Sequence, residues 1–330
     1  MLAADNLVLV ARVDRLMARI RELETPFPYF GGKSRAVDLV WPRFGAVRNY
    51  VEPFFGSGAM LLGRPQPFAG IETVNDADGL LANFWRAIKA DPEAVAHWAD
   101  WPVNENDLHA RHAWLVERKE SLQARLEGDP DFHDAKIAGW WVWGICCWIG
   151  SGWCSGKGPW HVVDGQLVHL GDAGRGVNRQ LVHLGTAGQG VNRKLVDSLV
   201  EWFAELSDRL VRVRVCCGDW KRVCGPTPTV KQGLTAVFLD PPYADTARRD
   251  HDLYRMDSLS VAHDVREWAI EHGDDPRLRI ALCGYEGEHH MPGSWSVIQG
   301  KATSGGYGSQ AKVSKMNHRK ERIWFSPHCI

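Results

Sequence analysis

No stretch of these 330 residues is apolar for long enough to cross a bilayer as a helix. Net charge is nearly absent as well. The formal value is −1 at pH 7, so no global basic field advertises a nucleic-acid partner, and any such contact has to come from local patches. Cysteine occurs eight times without a single C-x-x-C pair. Cys146-Cys147 with Cys154, and Cys216-Cys217 with Cys224, share a spacing, but it is not the ligand pattern of structural zinc. No metal is expected, and buried thiols in a reducing cytoplasm are. Both familiar glycine-rich phosphate patterns are incomplete. Gly31–Ser34 reads G-G-K-S, yet the earlier glycine of a P-loop falls at Phe27, and Gly156-Lys157 has Ser151 in that place. In Gly56-Ser57-Gly58 the third glycine of a dinucleotide fingerprint falls at Leu61, which disfavours NAD.

What is present suits one large α/β domain with an insert, or two modest domains: 45% of the residues are hydrophobic. The most telling segment is Phe238-Leu239-Asp240-Pro241-Pro242-Tyr243, an apolar strand ending in D-P-P-Y. An exocyclic amino group on a nucleobase is a poor nucleophile because its lone pair is delocalised into the ring. A carboxylate accepting one of its N–H bonds and a backbone carbonyl accepting the other would localise that pair. Proline fixes φ and removes donors, so such carbonyls are held rigidly. Tyr243 would offer a flat face to a base taken out of its stack. The bland alternative is a proline turn after a strand.

Asn49–Ala59 reads as a second strand, a glycine turn at Gly56 and Gly58, and a helix over 59–62. Glycine permits φ > 0 and close approach of backbone to a ligand. Glu72–Asp78 supplies another strand end, with acids about 20 residues beyond that turn, where nucleotide-type folds meet ribose hydroxyls. Of Asp76 and Asp78, one is available for that role and the other to cap a helix over 79–90.

Together Tyr29–Lys33 (Y-F-G-G-K), Val51–Gly58 (V-E-P-F-F-G-S-G), Asn75–Asp78 (N-D-A-D), Cys217–Trp220 (C-G-D-W) and Leu239–Tyr243 (L-D-P-P-Y) resemble the Dam-type DNA adenine N6-methyltransferases. Their order is similar to the group in which G-G-K comes first and the target-recognition insert precedes D-P-P-Y. The resemblance implies an α/β fold: a class I methyltransferase (Rossmann-like) sheet with helices on both faces and an inserted recognition region. It implies S-adenosylmethionine as cofactor, bordered by Tyr29, Gly31, Gly32 and Lys33. Glu52, Pro53, Phe54, Gly56 and Gly58 would wrap its methionine part, Asp76 its ribose, and Asp219 with Trp220 its adenine. Asp240, Pro241, Pro242 and Tyr243 would hold a flipped target adenine in double-stranded DNA. A cognate restriction endonuclease is a candidate partner, and a phage or restriction setting a candidate context. Oligomeric state is not specified.

Rival chemistries are weighed on the same letters. A cytosine ring-carbon methylase needs a cysteine directly after proline, whereas Pro327-His328-Cys329 has an intervening residue. Glutamine-modifying relatives are expected to carry N-P-P-Y. Cytosine N4 or RNA amino methylation stays open, as does a catalytically silent DNA-binding homologue.

The expected organisation is a helical extension over 1–25, a catalytic domain over 26–90 and 205–330, and a recognition insert over 91–204. In the extension, Asp5 is a plausible cap for apolar residues at helical spacing, and Arg12 and Arg15 interrupt any signal-like core. In the insert, Asn106–Leu126 reads as helix, and the tryptophans of Ala138–Trp160 read as a small core in preference to a stacking surface. Val162–Val168 reads as a hairpin with an Asp-Gly turn. A 14-residue repeat then runs over 166–193, each copy ending in Asn and Arg, and Asn178, Arg179, Asn192 and Arg193 are candidate base contacts. Lys312, Lys315 and Arg319 in the basic tail are candidate phosphate contacts. Val261–His272 reads as helix, and Ile280–Gly284 and Arg322–Phe325 as further core strands.

Overall fold

The structure is a computed structural model that describes residues 23–29, 33–148, 153–154, 160–163, 166–169, 196–242, 261–299 and 321–330. The extension before residue 23, the repeat beyond residue 169 and the loop following Pro242 lie outside the described residues, as does the basic tail.

A seven-stranded sheet organises the chain. Its strands are β1 (Asn49–Glu52), β2 (Ile71–Asp76), β5 (Val213–Cys217), β6 (Thr235–Leu239), β7 (Leu278–Tyr285), β8 (Ser296–Gln299) and β9 (Glu321–Phe325). β3 (Trp160–Val163) and β4 (Gln166–His169) form a separate antiparallel hairpin with Val163 opposite Gln166, as the Asp-Gly dipeptide between them predicts. The sheet order is β5-β2-β1-β6-β7-β9-β8. β5, β2, β1, β6 and β7 run parallel, and β9 is antiparallel to both of its neighbours.

Alternation along the strands separates the two faces, because successive side chains of a strand point to opposite sides. Tyr50, Ala236, Phe238, Ala281 and Cys283 belong to one apolar cluster; Val51, Val237, Leu239, Ile280 and Leu282 belong to another. The first cluster is covered by α1 (Val37–Phe44), α3 (Gly79–Ala90) and α7 (Val196–Leu210). The second is covered by α8 (Lys221–Cys224) and α9 (Val261–His272). The remaining helices are α2 (Ala59–Leu62), α4 (Pro92–Ala99), α5 (Glu105–Gly128) and α6 (Ala135–Cys147). Burial on both faces explains why the central strands read as continuous apolar runs.

Local signals set the helix starts. Asp78, Asp91, Asn104 and Asp134 each accept a backbone hydrogen bond as the N-cap of α3, α4, α5 and α6. α4–α6 do not form a core of their own. Phe84 of α3 lies 5.8 Å from the Trp141 ring, and Phe27 lies 5.0 Å from it. Trp141, Trp143, Trp148 and Trp153 are buried, so these tryptophans serve packing. Truncating one such ring to alanine costs about 3–5 kcal/mol.

The order of connection locates the functional region. From β1 the chain moves outward to β2 and β5, then returns to β6 on the other side of β1. The carboxyl ends of β1 and β6 therefore flank a topological switch point, where open α/β sheets bind ligands.

Candidate active site

Four strand ends converge there. Beyond β1, Glu52 leads into Pro53–Gly58, with Gly56 at φ +51° and Gly58 at φ +74°, as the glycine-turn reading requires. A Cβ on Gly56 would lie 2.8 Å from Tyr29 Cε1, so the Tyr29 ring rests directly on this turn. The turn is held from two further directions: Gly56 N–H donates to Asp76 Oδ2 at 3.0 Å, and Trp85 Nε1 donates to the Gly56 carbonyl at 3.0 Å.

Asp76 and Asp78 divide their two roles. Asp78 caps α3 through Leu80 N–H, while Asp76 stands at the end of β2 against the glycine turn. Asp76 also accepts from Asp78 N–H at 2.9 Å. Burial raises its carboxyl to about pKa 6, and hydrogen bonds from the Asp78, Gly56 and Ala77 backbones restrain the rise. Its neighbour Asn75 is buried and donates through Nδ2 to the carbonyls of Pro53 (3.1 Å) and Gly218 (2.9 Å). Beyond β5, Asp219 is exposed and Trp220 buried, with the Trp220 ring 6.1 Å from that of Phe54.

Asp240 follows β6. Lys33 Nζ lies 3.0 Å from Asp240 Oδ2, and the two side chains are only 8% and 19% exposed. Glu52, one strand away, is deeply buried and accepts from Tyr50 Oη at 2.8 Å. Burial pushes its carboxyl well above the ordinary range; the Tyr50 hydrogen bond opposes this, and the negative charges of Asp240 and Glu72 reinforce it. Cys283 on β7 lies near the same charges, and burial raises its thiol well above normal. The result is the Lys33–Asp240 ion pair beside a carboxyl that burial pushes above the ordinary range.

Of the residues named from sequence, Tyr29, Lys33, Glu52, Pro53, Phe54, Gly56, Gly58, Asp76, Asp219, Trp220, Asp240, Pro241 and Pro242 all fall at these strand ends or on segments packed against them. Gly31, Gly32 and Tyr243 lie outside the described residues, as do Asn178, Arg179, Asn192, Arg193, Lys312, Lys315 and Arg319. Sequence reading missed the Lys33–Asp240 pair, the Asn75 bridge and the Trp85 contact. The Tyr50–Glu52 pair had a usable signal: residues two apart on a strand share a face. Among the described residues no group of three or more His, Cys, Asp or Glu side chains is arranged to hold a metal. No described helix is long and apolar enough to cross a membrane.

Strand order and the antiparallel β9 are those of a class I methyltransferase fold. Residues 29–121 match the family described as D12 class N6 adenine-specific DNA methyltransferase, in agreement with the resemblance carried by the five motifs. Over those residues, fewer than a third of its length, the chain is similar to adenine-specific DNA methyltransferases. It matches no curated protein.

Proposed function

We propose that the chain transfers a methyl group from S-adenosylmethionine to the N6 amine of an adenine flipped out of a specific duplex DNA sequence. The observation that carries this reading is the D-P-P-Y carboxylate, Asp240, beside the glycine turn at the switch point and paired with Lys33 at 3.0 Å. The residues fit the cofactor. Gly56 and Gly58 take positive φ and pack against the rings of Tyr29, Phe55 and Trp85 where a Cβ would clash, so the turn offers its backbone to the methionine part. As a carboxylate with several lone pairs, Asp76 keeps acceptor capacity beyond its backbone hydrogen bonds for ribose hydroxyls. Phe54 and Trp220 supply apolar walls. When bound, the cofactor supplies an electrophilic methyl on a positively charged sulfur.

The chain's own residues do the rest. Lys33 holds Asp240 through Oδ2, and a carboxylate, with several lone pairs, is an acceptor suited to an N6–H. The rigid Pro241 carbonyl accepts the second N6–H, and Tyr243 stacks on the base. Both acceptors draw the nitrogen lone pair out of conjugation and along the line of attack. The catalytic gain comes from this alignment and from excluding water. Residues 91–204 read the sequence context, with Asn178, Arg179, Asn192 and Arg193 on base edges, while Lys312, Lys315 and Arg319 of the tail contact phosphates. The setting is the cytoplasm, and a cognate restriction endonuclease is a candidate partner.

The test incubates the protein with labelled S-adenosylmethionine and mixed-sequence duplex DNA, digests to nucleosides and identifies the labelled one. Labelled N6-methyladenosine that vanishes in Asp240→Ala supports the reading. Label on cytosine N4 moves the target base. Cofactor binding with no label on DNA refutes it in favour of RNA methylation or a silent DNA-binding protein.

A further inference from the structure

Asn75 is absent from the roles assigned above, yet it ties the site together. It stands at the carboxyl end of β2 and is 1% exposed. Its Nδ2 donates to Pro53 O at 3.1 Å and to Gly218 O at 2.9 Å, partners 22 and 143 residues away. With two carbonyls as partners, the amide orientation is unambiguous, since only the nitrogen can donate. Pro53 lies just past the end of β1 and Gly218 just past the end of β5, so neither carbonyl falls within the strand pairings. The backbone at the same place adds two more ties: Phe55 N–H donates to the Asn75 carbonyl at 2.9 Å, and Gly218 N–H to the Asp76 carbonyl at 3.1 Å.

These contacts join two turns to which the cofactor reading assigns different parts of the ligand, Pro53–Gly58 and Gly218–Trp220. The position also carries a cost. Asn75 Oδ1 is buried with no hydrogen-bond partner, a penalty that an apolar residue would avoid. What the asparagine contributes is its pair of donors.

We propose that Asn75 is a positioning residue that sets the spacing of the cofactor cleft by clamping the turns after β1 and β5. This rests on the S-adenosylmethionine reading of that cleft. The chain contains its own control. Asn49, at the amino end of β1, is also buried, also donates through Nδ2 to loop carbonyls (Pro228 at 2.7 Å) and also has an unpartnered Oδ1. It lies at the opposite end of the strands from the site. A merely structural clamp predicts the same behaviour for both residues.

The experiment measures the Kd for S-adenosylmethionine and the kcat and KM for methylation in wild type, Asn75→Ala, Asn75→Asp and Asn49→Ala, with melting curves on each. Loss of two donors at Asn75 is expected to raise the cofactor Kd and KM by about 10- to 100-fold. kcat at saturating cofactor stays within about threefold, and the KM for DNA is unchanged. Asn75→Asp preserves volume while removing both donors, so it reports the same split if the alanine variant does not fold. Asn49→Ala is expected to lower the melting temperature with wild-type cofactor affinity. Unchanged affinity in a folded Asn75 variant, or an equal rise in Asn49→Ala, overturns the proposal. Failure of the wild type itself to bind S-adenosylmethionine overturns the cofactor reading, and this inference with it.

Discussion

Substituting Gly56 by alanine perturbs the turn that follows β1. Two costs add. At φ +51° an L-residue pays the left-handed penalty of about 1–2 kcal/mol. The new methyl would also sit 2.8 Å from Tyr29 Cε1, which is closer than carbon atoms tolerate, so the ring or the turn has to move. The turn is anchored at both ends of Gly56, by Asp76 Oδ2 on its N–H and Trp85 Nε1 on its carbonyl. Movement of the turn therefore weakens one of those hydrogen bonds, worth about 1 kcal/mol each. The expected result is a loss of roughly 2–3 kcal/mol in stability, shared with a rise of more than tenfold in cofactor Kd. Equilibrium binding of labelled S-adenosylmethionine and a melting curve measure both. Gly233→Ala is the control: its φ is +103°, and it lies beside Arg48 at the amino end of β6, away from the site. If Gly56→Ala binds cofactor as tightly as wild type, or if Gly233→Ala weakens binding equally, the glycine turn does not shape the cofactor site.

Further outcomes follow from the electrostatics. Asp76, raised to about pKa 6, accepts ribose hydroxyls best when ionised, so cofactor affinity should fall about tenfold between pH 7.5 and pH 5. Binding measured across that range in Asp76→Asn should lose the dependence. The same shift has the opposite sign for folding. A carboxyl with a raised folded pKa favours the folded state at low pH, and that contribution is lost as pH rises through about 4 to 6. Lys33→Met and Asp240→Asn should be non-additive in denaturant unfolding, with a coupling of about 1–3 kcal/mol, because each removes half of one mostly buried pair. Additive effects would show that the pair is not formed in solution. Thiol titration of the native protein near pH 8 should modify at most Cys216 and Cys329 quickly, since the other six cysteines are buried. Burial raises the thiols of Cys147 and Cys217 to about pKa 12, and rapid reaction at either would contradict the packing.

Much of the site was legible because its parts are local. A glycine turn, an acid at a strand end and D-P-P-Y are each written in consecutive residues. So were the elements with clean punctuation: α9 runs from Val261 to His272 before Gly273, and α3 begins after the Asp78 cap. The Lys33–Asp240 pair was not legible, because it joins segments brought together only by the strand order, and strand order leaves no mark in the sequence. α6 was hidden for another reason. Ala135–Cys147 is buried along most of its length, so its apolar residues show no helical stripe, and the tryptophans drew the eye to composition. β8 was missed because Ser296–Gln299 is short, lies at the sheet edge and is largely exposed, leaving little hydrophobic alternation to read.

The shared packing of α3 with α4–α6 bears on any attempt to retarget this enzyme by exchanging parts. A graft that replaced everything after residue 90 would strip Phe84 and Phe27 of Trp141, the ring both of them pack against. The recipient would have to rebuild its interior before it could acquire a new specificity. A cut placed between Cys154 and the β3–β4 hairpin would leave those aromatic contacts intact. Seams for recombination in this chain follow where the rings interlock, and those boundaries differ from the ones the motifs suggest.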